Sequence, residues 1–393
     1  MTMELPACRD GYLLARRVTD EVRRTGKHFL PEPVLRSLGA LRSGHATDRL
    51  PYLRTFLDCL LDKHEGRYAN RTYLSLPLLE LVLDDPDGPL DPSHMATLLI
   101  ADVVRYESRV REPGGPGSGR AGGGGADPDP PGPDTTRKRL RHALRFVSDD
   151  LGGRDAGEVA DLLPRPPATA AGRWFDLTVQ PVYVLHDEFF FIRALQAHEM
   201  LFTAVVADVR AAIAALRDDR PGAAAGHVDR AAGSVDRAAA LFRLVATMRP
   251  DHFAAFRRYT QGASAIQSEQ YKRFEVLCGL PSGERLCSAA FAGVPAVRAE
   301  AEDAGHDTVA RAYLDLRRRT PVGHAERDLL HAALARLEDR HQRWKATHRS
   351  LAARMLGDAP GSGYTDGVPY LTECLGNRLF RQLAERPAAR RVT

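Results

Sequence analysis

Aromatic side chains are few in this sequence, 7% of 393 residues with two tryptophans. An excess of one charge is also lacking: 55 Lys and Arg against 51 Asp and Glu leave +4, and the basic residues are spread along the chain. A polybasic arm is therefore excluded, and no nucleic-acid partner is expected. The five cysteines (Cys8, Cys59, Cys278, Cys287, Cys374) are odd in number and scattered. They form no CxxC, CxxCH or zinc spacing, so reduced thiols and a cytoplasmic location are expected. No apolar run approaches the roughly 18 residues a membrane span needs, so no membrane partner is expected. The opening MTMELPACRDG lacks the basic-then-apolar pattern of a secretory signal.

Chemical motifs are also thin. His198-Glu199 has no second histidine four residues after the first, which excludes HExxH zinc chemistry. The glycines of residues 357–367 resemble a phosphate cradle, but the run lacks the Lys-Ser/Thr ending and follows a helical pattern. Glu338 and His341 make one ExxH element, and a di-iron carboxylate bundle wants two. Period-2 strand patterns are scarce.

What is present is helical periodicity. Residues 186–219 carry apolar side chains at three-to-four spacing, and Pro221 ends that helix before the next begins. VDRAA recurs at Val228 and Val235, seven apart, which marks a packed amphipathic helix. A further helix is expected over Ala325–Leu356, closed by Gly357 in a left-handed cap. The fold class is all-α, a large helical bundle. Between Glu112 and Thr136 the chain is nearly all Gly, Pro, Asp and Ser, and such a stretch buries too little to order itself. The expected organisation is an N-terminal helical region 1–111, a disordered Gly/Pro-rich linker 112–136 and a helical domain 137–393.

Three segments carry a resemblance. HDEFFFIRALQAHE, from His186, resembles the HDE-x-x-FI-x-x-x-Q-x-x-E helix of the tryptophan 2,3-dioxygenase family of heme proteins. The stretch from Met248 to Glu275 is similar to that family's MTP-x-x-F-x-x-FR and SGFQS-x-QFR-x-x-E, matching at Met248, Pro250, Phe253, Phe256, Arg257, Ser264, Gln267, Ser268, Gln270 and Glu275. Last come Trp344 and His348, as W-x-x-x-H, followed by Gly361-Ser362-Gly363, Thr365, Gly367, Tyr370 and Leu371. The likeness spans about Trp174–Leu383.

The resemblance implies a non-covalent heme b in the large helical domain, with His348 as proximal iron ligand and Trp344 beside it. Its substrates would be a small aromatic amino acid and dioxygen, and the assembly a homodimer or homotetramer. Ser362 would contact the amino-acid head group, with Gly361 and Gly363 allowing close approach and Thr365 in the same motif. The family's carboxylate anchor, the Arg of QFR, is Lys272 here, a point charge in place of a bidentate fork. Phe191 matches the family's pocket aromatic, while its distal histidine is Leu195. His198 falls on the same helical face as Phe191 and Leu195, at i, i+4 and i+7, so it is a candidate displaced base or else a packing histidine. The family's N-terminal YL-x-L element has two candidates, Tyr73-Leu74 and the segment Trp174–Pro181.

The implied function is a heme-dependent oxygenase of the tryptophan 2,3-dioxygenase type, inserting dioxygen into the indole ring of L-tryptophan or a substituted tryptophan. Leu195 leaves open a heme-dependent monooxygenase or hydroxylase of an aromatic amino acid in specialised metabolism. A third reading is a non-catalytic helical protein that binds heme or another ligand.

Overall fold

The computed structural model describes residues 11–67, 69–111, 130–260, 267–319, 323–361 and 365–384. Among these, every regular element is a helix, so the chain is all-α. No helix among the described residues is long and apolar enough to cross a membrane.

The helices follow the chain as α1 (Gly11–Thr25), α2 (Glu32–Ser43), α3 (Pro51–Leu60), α4 (Asn70–Tyr73), α5 (Leu76–Leu83), α6 (Pro92–Arg111), α7 (Pro133–Val147), α8 (His186–Arg217), α9 (Pro221–Val245), α10 (Pro250–Thr260), α11 (Glu269–Cys278), α12 (Gly283–Leu286), α13 (Ala289–Ala292), α14 (Pro295–Glu302), α15 (Val309–Arg319), α16 (His324–Leu356), α17 (Val368–Cys374) and α18 (Arg381–Ala384). Short 3₁₀ turns lie among them, one over Gly172–Thr178. Proline opens α7 at its first helical position, where its missing N–H costs nothing. That helix takes up residues 133–136 of the stretch expected as linker, while 112–129 lie outside the described residues.

The chain forms two compact units. The first comprises 1–198, 243–265 and 362–364; the second comprises 199–242, 266–361 and 365–393. In the first, α1, α3, α5 and α6 bury Val18, Val22, Phe56, Leu57, Leu79, Val82, Leu99 and Val103. The hydrophobic transfer of such side chains, roughly 1.5–3 kcal/mol each, is what drives the helices together. Gly26 lies at φ +83 where a Cβ would sit 2.6 Å from Val182 O, so only glycine lets the chain pass there. The next two amides bond to Pro181 O and Val182 O at 2.8 and 3.3 Å, fastening the N-terminal helices to the segment before α8. In the second unit, α11, α13 and α14 close on Val276, Ala290, Phe291, Val294 and Val297.

Candidate functional site

The first unit holds the N-terminal half of α8, and its opening tripeptide is wholly buried. His186 Nε2 meets Glu107 Oε1 at 3.0 Å. Arg139, itself fully buried, donates to Glu107 Oε1 and to Asp187 Oδ1, both at 2.7 Å. The other Asp187 oxygen accepts from the Arg249 amide at 2.8 Å. Glu188 accepts from the Val182 and Tyr183 amides at 2.7 and 2.9 Å. Burial nevertheless pushes its carboxyl up to about 8. HDE is thus a three-way clasp that ties α6, α7, the entry to α10 and the segment before α8 to one helix end.

One turn on, Arg193 donates to Asp102 Oδ2 at 2.8 Å, to Thr178 Oγ1 at 2.7 Å and to Gln196 Oε1 at 2.9 Å. Gln196 Nε2 in turn donates to Leu74 O at 2.7 Å and Thr178 O at 2.9 Å. Both candidates for the N-terminal element therefore meet α8: Tyr73, Leu74 and Leu76 share one apolar cluster with Val179, Val182 and Ile192. Phe191 and Leu195 pack against that cluster and stay only partly buried, as do Tyr183 and Tyr259. Phe191 also touches the rings of Phe253 and Phe256, at 5.6 and 5.3 Å between centroids. Both phenylalanines belong to the second motif of the sequence. Leu195 offers no group that could accept a proton. His198 is buried, and its Nδ1 lies 3.0 Å from Ala194 O, one turn back on its own helix. That bond makes Nδ1 the protonated nitrogen and turns this edge of the ring toward its own backbone.

The second unit carries α16 with His348. The imidazole stacks on Phe242 at 5.4 Å and 5° and touches Trp344 at 5.5 Å. No hydrogen bond from another described residue reaches either ring nitrogen. Burial pushes its pKa down to about 4, so it is neutral at physiological pH. Trp344 is packed between Phe202, Phe242 and Tyr271. Its indole N–H is buried with no acceptor among the described residues. One heptad before His348, His341 Nε2 accepts from Tyr271 Oη at 3.0 Å. Burial, aided by the Lys345 charge, lowers that imidazole to about 3.

Lys272, the expected carboxylate anchor, is 3% exposed and donates to Glu275 Oε2 at 3.0 Å. Arg285 completes the group, reaching both Glu275 oxygens at 3.1 Å. Burial alone would raise the Glu275 carboxyl, but Lys272 and Arg285 outweigh it and hold it at about 2. The ammonium is therefore already committed to a carboxylate of its own helix.

Of the glycine-rich motif, Ser362 and Gly363 lie outside the described residues, as does Ser264. Gly361 N donates to Thr365 O at 2.8 Å, and a Cβ on Gly361 would run into Thr365 Oγ1. Gly357 and Gly367, at φ +55 and +71, bracket the motif; Gly357 ends α16 as expected, at a positive φ but with ψ −125, and so outside the left-handed helical cap the sequence suggested. From α16, Glu338 accepts from the Leu379 amide at 2.9 Å, Gln342 donates to Asn377 O at 2.9 Å and Lys345 donates to Cys374 O at 2.8 Å. These three side chains recur every three to four residues, so one face of α16 holds the chain just beyond α17.

Arg139 and Arg285 were missed by sequence reasoning, and the only available signal was charged residues inside helical stretches; Gln196 stood in the α8 motif, but its bonds to Leu74 and Thr178 were not foreseen.

Residues 177–293 match the model of the family described as tryptophan 2,3-dioxygenase. Tryptophan 2,3-dioxygenases of Burkholderia mallei (strain SAVP1) and Burkholderia pseudomallei (strain 668) are each 28% identical over 233 residues, covering 50% of this chain and 75% of the relative. The matched span contains the α8 clasp, the Phe253–Phe256 turn and the Lys272–Glu275 pair, with leucine and lysine at two positions where the family pattern has histidine and arginine. Over the matched residues the chain is thus similar to the tryptophan 2,3-dioxygenases, from which it diverges at those two positions.

Proposed function

We propose that the chain is a heme-dependent oxygenase acting on the indole ring of tryptophan or a substituted tryptophan. The observation that carries this reading is His348: a neutral imidazole on a long helix, backed by Phe242 and Trp344 and claimed by no hydrogen bond from the described residues. A proximal ligand must be unprotonated, rigidly held and walled by apolar groups, and these residues fit that demand. The family relationship makes iron in a non-covalent heme b the group to be held. When bound it supplies the activation of dioxygen, and the chain supplies positioning and exclusion of water.

Phe191, with Phe253 and Phe256 behind it, forms an aromatic wall suited to a flat ring. Head-group contacts are assigned to Ser362 and its flanking glycines. Lys272 contributes positive potential more than a direct contact, since Glu275 holds its ammonium. The assembly is assigned as a homodimer or homotetramer, as the likeness to the family implies, and its location as the cytoplasm, from the scattered cysteines.

One observation favours a second reading. Leu195 is an apolar, partly buried side chain in a hydrophobic cluster, so that turn of α8 provides no base for an indole N–H. This fits an enzyme that hydroxylates an indole or phenol. Oxygen-isotope counting separates the readings, because ring cleavage places two labelled atoms in the product and hydroxylation one.

The test of the shared premise is an absorption spectrum of the purified chain after heme addition. A Soret band that His348→Ala removes is expected, while Tyr313→Phe, on α15, leaves it intact. A wild-type chain that refuses heme would refute the proposal.

A further inference from the structure

The buried aromatic row that begins with Trp344 behind His348 runs on to Tyr271 and His341, and its hydrogen bonding is uneven. Trp344 touches the His348 ring at 5.5 Å and lies nearly parallel to Tyr271, with centroids 5.1 Å apart and planes at 29°. Tyr271 Oη in turn donates to His341 Nε2 at 3.0 Å. We propose that Trp344, Tyr271 and His341 form a one-electron, one-proton relay that carries oxidising equivalents from a heme at His348 into the protein and parks them on Tyr271. This rests on the heme reading above.

The direction of the relay follows from where protons can leave. A one-electron-oxidised indole rests as a neutral radical only when its N–H proton departs. The Trp344 N–H is buried and no acceptor among the described residues faces it, so charge arriving there passes on. The Tyr271 phenol has an acceptor. Among the two tautomers of neutral His341, the one that accepts from Tyr271 leaves only Nδ1–H unpartnered. The other would strand the phenol proton as well. Lys272 Nζ sits 4.8 Å over the Tyr271 ring, and its positive charge disfavours a cation in that ring. The electron can therefore leave Tyr271 only together with the proton.

The balance is simple. Hydrogen peroxide, a two-electron oxidant that ends as water, would leave two oxidising equivalents with a heme held at His348. One would stay there, and the other would be met by an electron from Trp344, whose indole one electron from Tyr271 then restores. The Tyr271 O–H bond breaks, its proton forms an N–H bond at His341 Nε2, and the products are a neutral tyrosyl radical and an imidazolium. Such a relay would protect the site when peroxide arrives without substrate.

The experiment is freeze-quenched electron paramagnetic resonance of the heme-loaded chain mixed with hydrogen peroxide. A tyrosyl signal is expected in the wild type and its loss in Tyr271→Phe, which removes a single hydroxyl. His341→Gln is the second variant, and decides the matter should the first fail to fold: loss of the signal supports the relay, persistence overturns it. A heme-loaded chain that gives no tyrosyl signal, or one that Tyr271→Phe leaves in place, overturns it as well. Should the chain take up no heme, the function proposal falls separately. The relay is then tested by flash oxidation of the heme-free chain with a photogenerated ruthenium(III) tris-bipyridine oxidant, where a tyrosyl signal surviving Tyr271→Phe overturns it and one lost supports it.

Discussion

At the scale of single residues, the family motifs divide into groups that hold the fold and groups left for chemistry. His186, Asp187 and Glu188 are all spent on partners inside the chain, through Arg139, Glu107 and backbone amides. Arg139→Met would leave two buried carboxylates facing each other without their cation, so a loss of roughly 3–5 kcal/mol in urea denaturation is expected. His341 gives a pH signature of opposite character. Its pKa is lowered in the folded chain, to about 3, so the unfolded chain binds the proton first as acid is added. The stability it lends is therefore complete above its ordinary pKa near 6.5 and is lost as pH falls toward the folded value, by at most about 1.4 kcal/mol per pH unit. His341→Leu is expected to flatten that part of the stability-against-pH curve. An unchanged slope would mean that the imidazole is not desolvated. The histidine with the sequence signature, His348, and the one without it, His341, differ because only the second found a hydrogen-bond partner in the fold.

At the scale of elements, α8 and α16 are the two long helices that matter most, and both were legible from three-to-four periodicity. Their ends were legible for different reasons. The start of α8 carries acidic residues that suit a helix dipole, yet the structure buries them in a clasp, which no local rule requires. The end of α16 at Gly357 followed from local chemistry, because a positive φ, here with ψ −125, is open to glycine and hardly to other residues. The segment between α16 and α17 depends equally on Gly367, where a Cβ would lie 2.8 Å from Ala359 O at φ +71. Gly367→Ala is expected to cost about 1–2 kcal/mol from the left-handed backbone alone. If the neighbouring Ser362 binds the substrate head group, KM should rise while the Soret band stays unchanged. Thermal melts and steady-state kinetics on the same preparation separate those effects. The helix beginning at Pro133 also shows how composition overstates a linker: Gly and Pro forbid a helix interior but not a helix start.

At the scale of the molecule, the all-α class was readable because helical periodicity recurs through most of the chain. The Gly/Pro-rich stretch interrupts the first compact unit between α6 and α7, and those two helices nonetheless pack together. Replacing residues 112–129 by a Gly/Ser stretch of about half that length should therefore shift stability by only about 0.6 kcal/mol, the logarithmic cost of loop closure. A large loss in denaturant midpoint would show that the stretch makes contacts of its own. By itself the sequence determined the helices, the linker composition, the family motifs and His348 as the ligand candidate, because each is written in local spacing or residue type. Only the tertiary structure decided that both Tyr73-Leu74 and the Thr178 segment meet α8, that Glu275 claims both Lys272 and Arg285, and that Tyr271 bonds His341. Those pairings join residues from 3 to 122 positions apart, and the desolvation that makes them consequential exists only once the helices have closed around them.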